Sequence, residues 1–276
     1  ARFADKTTGK LGFNQPIPIY TTLSFISKAL YWIYIYTIYW MLIIVRLPLI
    51  YCLTWIWVIV PIPFKDMIFS RLLLFLYGVL QPAPLQASTL STKKKAVYSL
   101  KKQTIICGQF TSPVDFLLYI KYFKPSLVLF PSAQLLSPAR AFYKSLSFDE
   151  SFIEQKIDKL PQKRILVFPE QFPTNQNLIM KSYLDCEIFT NRPIICAASK
   201  KKWTFVPKQH PKFDWETHFD DMGSVISKQQ VFITVMKESD TIEAGKIEKG
   251  LASCLGVEVG SQGLTERKEY LKVIQE

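Results

Sequence analysis

Histidine is almost missing: the 276 residues contain only two, His210 and His218, in one polar stretch with no cysteine nearby. That arrangement suggests no metal site, and it leaves little imidazole for general-base work. The five cysteines (Cys52, Cys107, Cys186, Cys196, Cys254) show no paired spacing. A disulfide framework is therefore not expected, and reduced thiols fit a domain facing the cytosol. Basic residues outnumber acidic ones, 34 to 22, for a net charge of +12. No nucleic-acid motif accompanies the lysine clusters at 93–95, 101–102 and 200–202. Nucleic acid is thus not an expected partner, whereas anionic lipid headgroups match such clusters. Internal repeats and low-complexity tracts are also lacking, and the apolar run is too long, with no small-residue cleavage site after it, to be expected as a secretory signal peptide.

Charge is what the first part of the chain lacks most. Between Tyr20 and Phe64 only Lys28 and Arg46 carry one, although the whole chain has a mean hydropathy of +0.13 and 34 Lys and Arg. The uncharged runs 29–45 and 47–64 each approach the roughly 20 residues that cross a bilayer core. Their many Trp and Tyr side chains suit a membrane interface. Arg46-Leu-Pro48 reads as a bend, because Pro48 disfavours helix at the residue before it. Two topologies follow, a helical hairpin, which is preferred, and a single bent span with an interfacial second arm.

The expected organisation is a polar lead-in (1–19), a membrane-embedded hairpin (20–64), an interfacial amphipathic helix (65–80), a linker (81–95) and an α/β domain (96–276). In the amphipathic helix Lys65, Asp66, Ser70 and Arg71 group on one side, with Met67, Ile68, Leu72, Phe75 and Leu76 as its apolar surface. In the domain, strand candidates at 96–100, 103–107, 126–130, 164–168, 193–197, 203–206 and 230–236 are interspersed with helical stretches. Those stretches are 113–123, 133–146, 149–160, 177–186 and 241–255, and 207–227 reads as a long loop. The alternation predicts a mostly parallel mixed sheet flanked by helices.

Two strand-to-loop joints stand out. Ile105-Ile-Cys-Gly-Gln-Phe-Thr-Ser-Pro-Val-Asp115 breaks from a strand at Gly108 and enters a helix through Thr111, Ser112 and Pro113. Ile165-Leu-Val-Phe-Pro-Glu170, with Asn175 beyond, repeats the form, and Arg192-Pro193 introduces another apolar strand. In this order, behind a membrane anchor, the motifs resemble the glycerolipid (lysophosphatidic acid) acyltransferase family over roughly residues 97–272. The tail, Leu251-Ala-Ser-Cys-Leu-Gly-Val257 and then Leu264-Thr-Glu-Arg-Lys-Glu-Tyr270, looks most like the ancient ubiquitous protein branch and related fungal members.

The resemblance implies a site. The family's first block is Asn-His-x-Ser-x-x-Asp, its histidine taking the acceptor hydroxyl's proton as that hydroxyl attacks acyl-CoA, and its aspartate orienting the imidazole. Here Ser112 and Asp115 remain, but Phe110 stands at the histidine position and Gln109 at the asparagine. The phosphate-binding block, Phe-Pro-Glu-Gly-Thr-Arg-Ser-Asn, keeps Phe168, Pro169, Glu170 and Asn175. Gln171, Phe172 and Pro173 replace its Gly-Thr-Arg, so the arginine fork is lost.

By this resemblance Asp115 is a catalytic remnant, expected now to cap its helix or bond to loop amides rather than to catalyse, and Ser112, Glu170, Asn175 and Phe172 are the substrate-binding candidates. Phe110 and Phe172 make the old site more apolar, suited to an acyl chain or a partner's side chain. Cys107 is the other nucleophile candidate, although a thiol in such a run is more often inert packing. Three functions follow. The first is a catalytically degenerate acyltransferase-like protein at the endoplasmic reticulum or lipid droplet, binding membrane lipid, lysophospholipid or a protein partner. The second is an active lysophospholipid acyltransferase with a non-standard site and acyl-CoA as co-substrate, neither reading needing a cofactor. The third is a membrane-shaping protein whose hairpin is the working part.

Overall fold

Short apolar runs with no polar alternation, such as Ile-Ile-Cys and Ile-Leu-Val, suit strands covered on both faces. The computed structural model describes residues 25–79, 86–89, 100–130, 134–146, 160–170, 178–179, 181–182, 189, 192–203, 227–236 and 245–261. In it β2 (Ile105–Gly108), β3 (Leu127–Phe130), β5 (Ile165–Val167) and β7 (Ile194–Trp203) lie parallel in the order β7-β2-β5-β3. β4 (Gln134–Leu136) and β8 (Ser227–Val235) pair antiparallel with β3 and β7. β1 (Gln86–Thr89) runs parallel beside β8 and completes a seven-stranded sheet. β6 (Leu178–Ile179) and β9 (Glu258–Val259) form a small separate pair. The expected α/β class, with a mixed, mainly parallel sheet flanked by helices, is what the chain adopts.

The period of two along each strand divides the core between the sheet's faces. Ile106, Leu166, Val128, Ile195 and Ala197 point into one cluster with α3 (Lys65–Leu76), α4 (Pro113–Phe123) and α5 (Pro138–Leu146). Ile105, Cys107, Ile165, Val167 and Cys196 point the other way, against α6 (Lys246–Leu255). That helix lies so close to β7 that a Cβ on Gly250 would stand 2.5 Å from Cys196 Sγ.

Several boundaries differ from expectation. β1 occupies part of the stretch read as a linker, and β4 part of the helix expected at 133–146, which starts at Pro138. Proline fits there because the first turn of a helix has no use for its missing N–H. β6 lies inside the helix expected at 177–186, and β7 merges the strand expected at 193–197 with the start of the one at 203–206. The expected strand at 96–100 and helix at 149–160 fall, apart from their last residues, outside the described residues. The lead-in at 1–19 and both histidines fall outside them too.

The largest correction concerns the N-terminal hairpin. α1 (Phe25–Tyr34), a π turn (Ile35–Tyr39) and α2 (Trp40–Ile59) follow one another without a break, so the chain does not turn at Arg46-Leu-Pro48. A mid-helix proline forfeits one backbone bond and costs about 3 kcal/mol. Packing offsets that cost: Ile43, Ile50, Thr54 and Trp57 form one buried face of α2, set against α3 and α5. The turn comes instead where Pro61 and Pro63 follow Val60, which is extended, and Phe64 takes a left-handed backbone with φ 60°. Trp57 fixes this corner. Its indole N–H donates to Asp66 Oδ1 at 2.8 Å, and Lys65 Nζ donates to the Trp57 carbonyl at 3.2 Å. α3 is therefore amphipathic in a different sense from that expected. Phe69, Ser70, Leu73 and Leu74 face the protein, while Ile68, Leu72 and Phe75 stay exposed.

Candidate functional site

The joint after β2 is built by close approach and capping. A Cβ on Gly108 would lie 2.9 Å from Tyr119 Cε2, so only glycine lets the Tyr119 ring rest against the strand end. The Tyr119 hydroxyl lies 2.8 Å from the Gln109 carbonyl and 3.3 Å from that of Ala197, donating its one proton there. Gln109 N–H in turn donates to Ala197 O at 3.0 Å. Ser112, in extended backbone, is the N-cap of α4, with Pro113 opening the helix and Asp115 in its first turn.

Asp115 is fully buried and acts as a knot. Its Oδ2 accepts from Thr111 N–H at 3.0 Å, from Ser112 N–H at 3.1 Å and from the Thr111 hydroxyl. Its Oδ1 accepts from the hydroxyl of Ser199, on β7. A carboxylate at a helix N-terminus is favoured by the free N–H groups and the helix dipole together. Chemically this arrangement fixes a loop. Among the described residues no imidazole stands beside it.

Phe110, at the position the resemblance gives to the base, is 2% exposed. Its ring centroid lies 5.2 Å from that of Phe168 and 6.4 Å from that of Phe116. The stack continues from Phe116 to Phe142 at 6.4 Å, Phe142 to Trp57 at 5.7 Å, and Trp57 to Phe69 at 6.2 Å. One aromatic column thus joins the loop to α2. The expectation that Phe110 lines an apolar binding surface is corrected by this burial, because its ring is spent on the core.

Of the expected site residues, Asp115 and Glu170 are both buried. Burial, and then the charges of Asp115, Cys254 and Glu170, push the Tyr119 phenol well above its ordinary range. Ser112 is buried as a cap, while Phe172 and Asn175 lie outside the described residues. Ser199 and Tyr119 are partners that sequence reading missed. Ser199 stands 84 positions from Asp115, and nothing local marks the pairing.

Other candidates have structural employment. Arg192 donates to the carbonyls of Gln103 at 2.9 Å and Pro161 at 3.0 Å, and also to that of Lys163. It therefore ties together the starts of β2, β5 and β7 rather than facing the joint at their other ends. Arg164 donates to Phe123 O at 3.0 Å, at the end of α4, and to Leu100 O at 3.0 Å, ahead of β2. Cys107, Cys196 and Cys254 are buried. Burial raises the Cys196 thiol well above its ordinary value and pushes Cys254 up to about 11, which keeps both protonated and weakly nucleophilic. Among the described residues no group of three or more His, Cys, Asp or Glu is placed to hold a metal ion.

Set against known proteins, the chain matches no family model, no curated protein and no solved structure. Fold and joint by themselves define an α/β protein with a mainly parallel sheet. Its strand-to-helix loop is sealed by an aromatic column and a saturated carboxylate.

Proposed function

We propose that this chain is a membrane-held, catalytically silent protein on the lysophospholipid acyltransferase pattern. It works by binding lipid or a protein partner at the endoplasmic reticulum or lipid droplet, with its α/β domain facing the cytosol. The observation that carries the reading is Phe110: a buried phenyl ring stands where that pattern needs its base, and Asp115 is occupied by Thr111, Ser112 and Ser199. General-base assistance is worth about 10²–10⁴-fold, and a phenyl ring supplies none of it. Membrane attachment is supported by the helical run 32–59, whose best window has a mean hydropathy of 2.2 and is only 22% buried. Membrane lipids are the first partner in this reading. Lysophospholipid and acyl-CoA are the further candidates, with Glu170, Phe172 and Asn175 as the residues proposed to meet them.

Acyl transfer from labelled acyl-CoA to lysophosphatidic acid, by the full chain in detergent, tests this. No turnover is expected from wild type or from Phe110→His, because the arginine fork is also missing. Robust wild-type turnover overturns the reading in favour of an acyltransferase with a non-standard site. That second reading draws its support from Asp115 and Glu170, which are both kept and both buried.

A further inference from the structure

The end of the sheet opposite the joint carries charge of one sign. Lys102, Lys163 and Lys124 are exposed and stand just ahead of β2, β5 and β3, which are neighbours in the sheet. Two guanidinium groups brace the segments that bear them. Arg164 donates to the carbonyls of Leu100 at 3.0 Å, Lys101 at 3.4 Å, Phe123 at 3.0 Å and Lys124 at 3.4 Å. Arg192 donates to those of Gln103, Pro161 and Lys163. The brace thus holds like charges side by side, which is unfavourable unless an anion lies against them. Among the described residues no carboxylate pairs with Lys102, Lys124 or Lys163. The described carboxylates belong to other segments: Asp66 to the corner, Asp115 and Glu170 to the opposite strand ends, Glu248 to α6 and Glu258 to β9.

Lysines beside a helix C-terminus ordinarily serve its free carbonyls. Here Arg164 takes the carbonyls of Phe123 and Lys124, and the Lys124 N–H takes that of Ile120, so the ammonium groups have no such work. Lys124 also ends α4 in left-handed backbone, φ 47°, where glycine would sit without a Cβ penalty. Backbone strain accepted for a charged, outward side chain points to a use for that charge. The anion it suits is broad: lysines are point charges on long stems, whereas one buried phosphate calls for a guanidinium fork. Apolar surface borders the charge. On α3, which packs against α4, Ile68, Leu72 and Phe75 are exposed around an exposed Arg71. Burial, and then the like charge of Arg71, lower the Lys121 ammonium in the last turn of α4. Basic beside apolar, over several segments, matches an anionic lipid surface better than an acidic protein, which needs only the charge.

We infer that this end of the domain, with Lys102, Lys124 and Lys163 at its centre, docks on the headgroups of anionic phospholipids. This rests on the membrane-held reading above and adds which face of the domain meets the lipid and which lipid charge it selects.

The test uses the full chain, purified in detergent and diluted into two sets of vesicles. One is phosphatidylcholine alone, and the other is phosphatidylcholine with a minor share of phosphatidylserine. The expected result is flotation with both, tighter with phosphatidylserine, and a preference that fades as salt rises. Each neutralised lysine should cost about fivefold on the anionic vesicles, and Lys102→Gln, Lys124→Gly and Lys163→Gln together on the order of a hundredfold. Binding to phosphatidylcholine alone should not change. The denaturant midpoint of the triple variant should hold, since all three side chains are exposed and glycine relieves the backbone at 124. Lys102→Arg with Lys163→Arg keeps the charge and should keep the preference. Equal binding to both vesicles, or a preference that survives in the folded triple variant, overturns the docking face and leaves membrane attachment standing. Binding to neither overturns both. Tighter capture by immobilised polyglutamate than by phosphatidylserine vesicles of equal charge, lost in the triple variant, gives the face to an acidic protein and overturns the lipid assignment.

Discussion

Asp115 gathers hydroxyl and amide donors from Thr111, Ser112 and Ser199, and its worth is structural. Replacing it by asparagine turns an acceptor into a donor facing donors. Asp115→Asn should therefore lower stability by about 1–3 kcal/mol, seen as an earlier denaturant midpoint in detergent. Ser199→Ala should cost less, because the Oδ2 contacts remain. Alkaline pH should also weaken the fold, and the sign follows from the shift. Burial raises the Cys254 thiol from 9.0 to about 11, so the unfolded chain releases its proton first. Stability from this group is intact below 9.0 and is lost as pH rises toward 11, by roughly 2–3 kcal/mol. Tyr119 and Cys196 shift in the same direction for the same reason. Denaturant midpoints across that window check this, and Cys254→Ala should flatten part of the fall. Thr111-Ser112-Pro113 and Asp115 were readable as helix-start chemistry, because capping is local. The Ser199 bond was not, because only strand pairing brings it near.

Among the elements, α6 depends on a residue without a side chain. With Cys196 Sγ 2.5 Å from the position of a Gly250 Cβ, Gly250→Ala forces the helix off β7. We expect a loss of about 1–3 kcal/mol, read from denaturant melts, although alanine is the better helix former. The central strands were legible because runs buried on both faces are apolar throughout. The edge strands were not: Gln86–Thr89 is polar, and Gln134–Leu136 is exposed to half-buried, so neither carries the pattern of a core strand. Pro48 misled for a related reason. Local backbone preference favours a bend there, but an apolar helix with one face packed on protein keeps its course.

At the scale of the whole molecule, the N-terminal helices and the sheet share one core. Ile43, Ile50 and Trp57 of α2 belong to the cluster that contains Phe110, Phe116 and Phe142. Trp57, fully buried between Phe69 and Phe142, should cost about 3–5 kcal/mol on replacement by alanine. Denaturant unfolding followed by near-ultraviolet circular dichroism should then show loosening at the distant Phe110 joint as well. A chain shortened to begin after residue 59 should be recovered mainly as aggregate, since it exposes the seat of α2 on α3 and α5. Independent folding of that piece would count against a shared core.

The sequence by itself determined the α/β class, the apolar character of the N-terminal run and the helix-start chemistry at the joint. Each rests on residue type and short-range spacing, which the chain carries openly. Only the tertiary structure decided that α2 runs straight through Pro48 and lies on the domain, and that Ser199 closes around Asp115. It alone showed that Phe110 packs into the core. Those outcomes depend on which distant surfaces meet, and the free energy of their packing exceeds the local preferences from which a sequence is read.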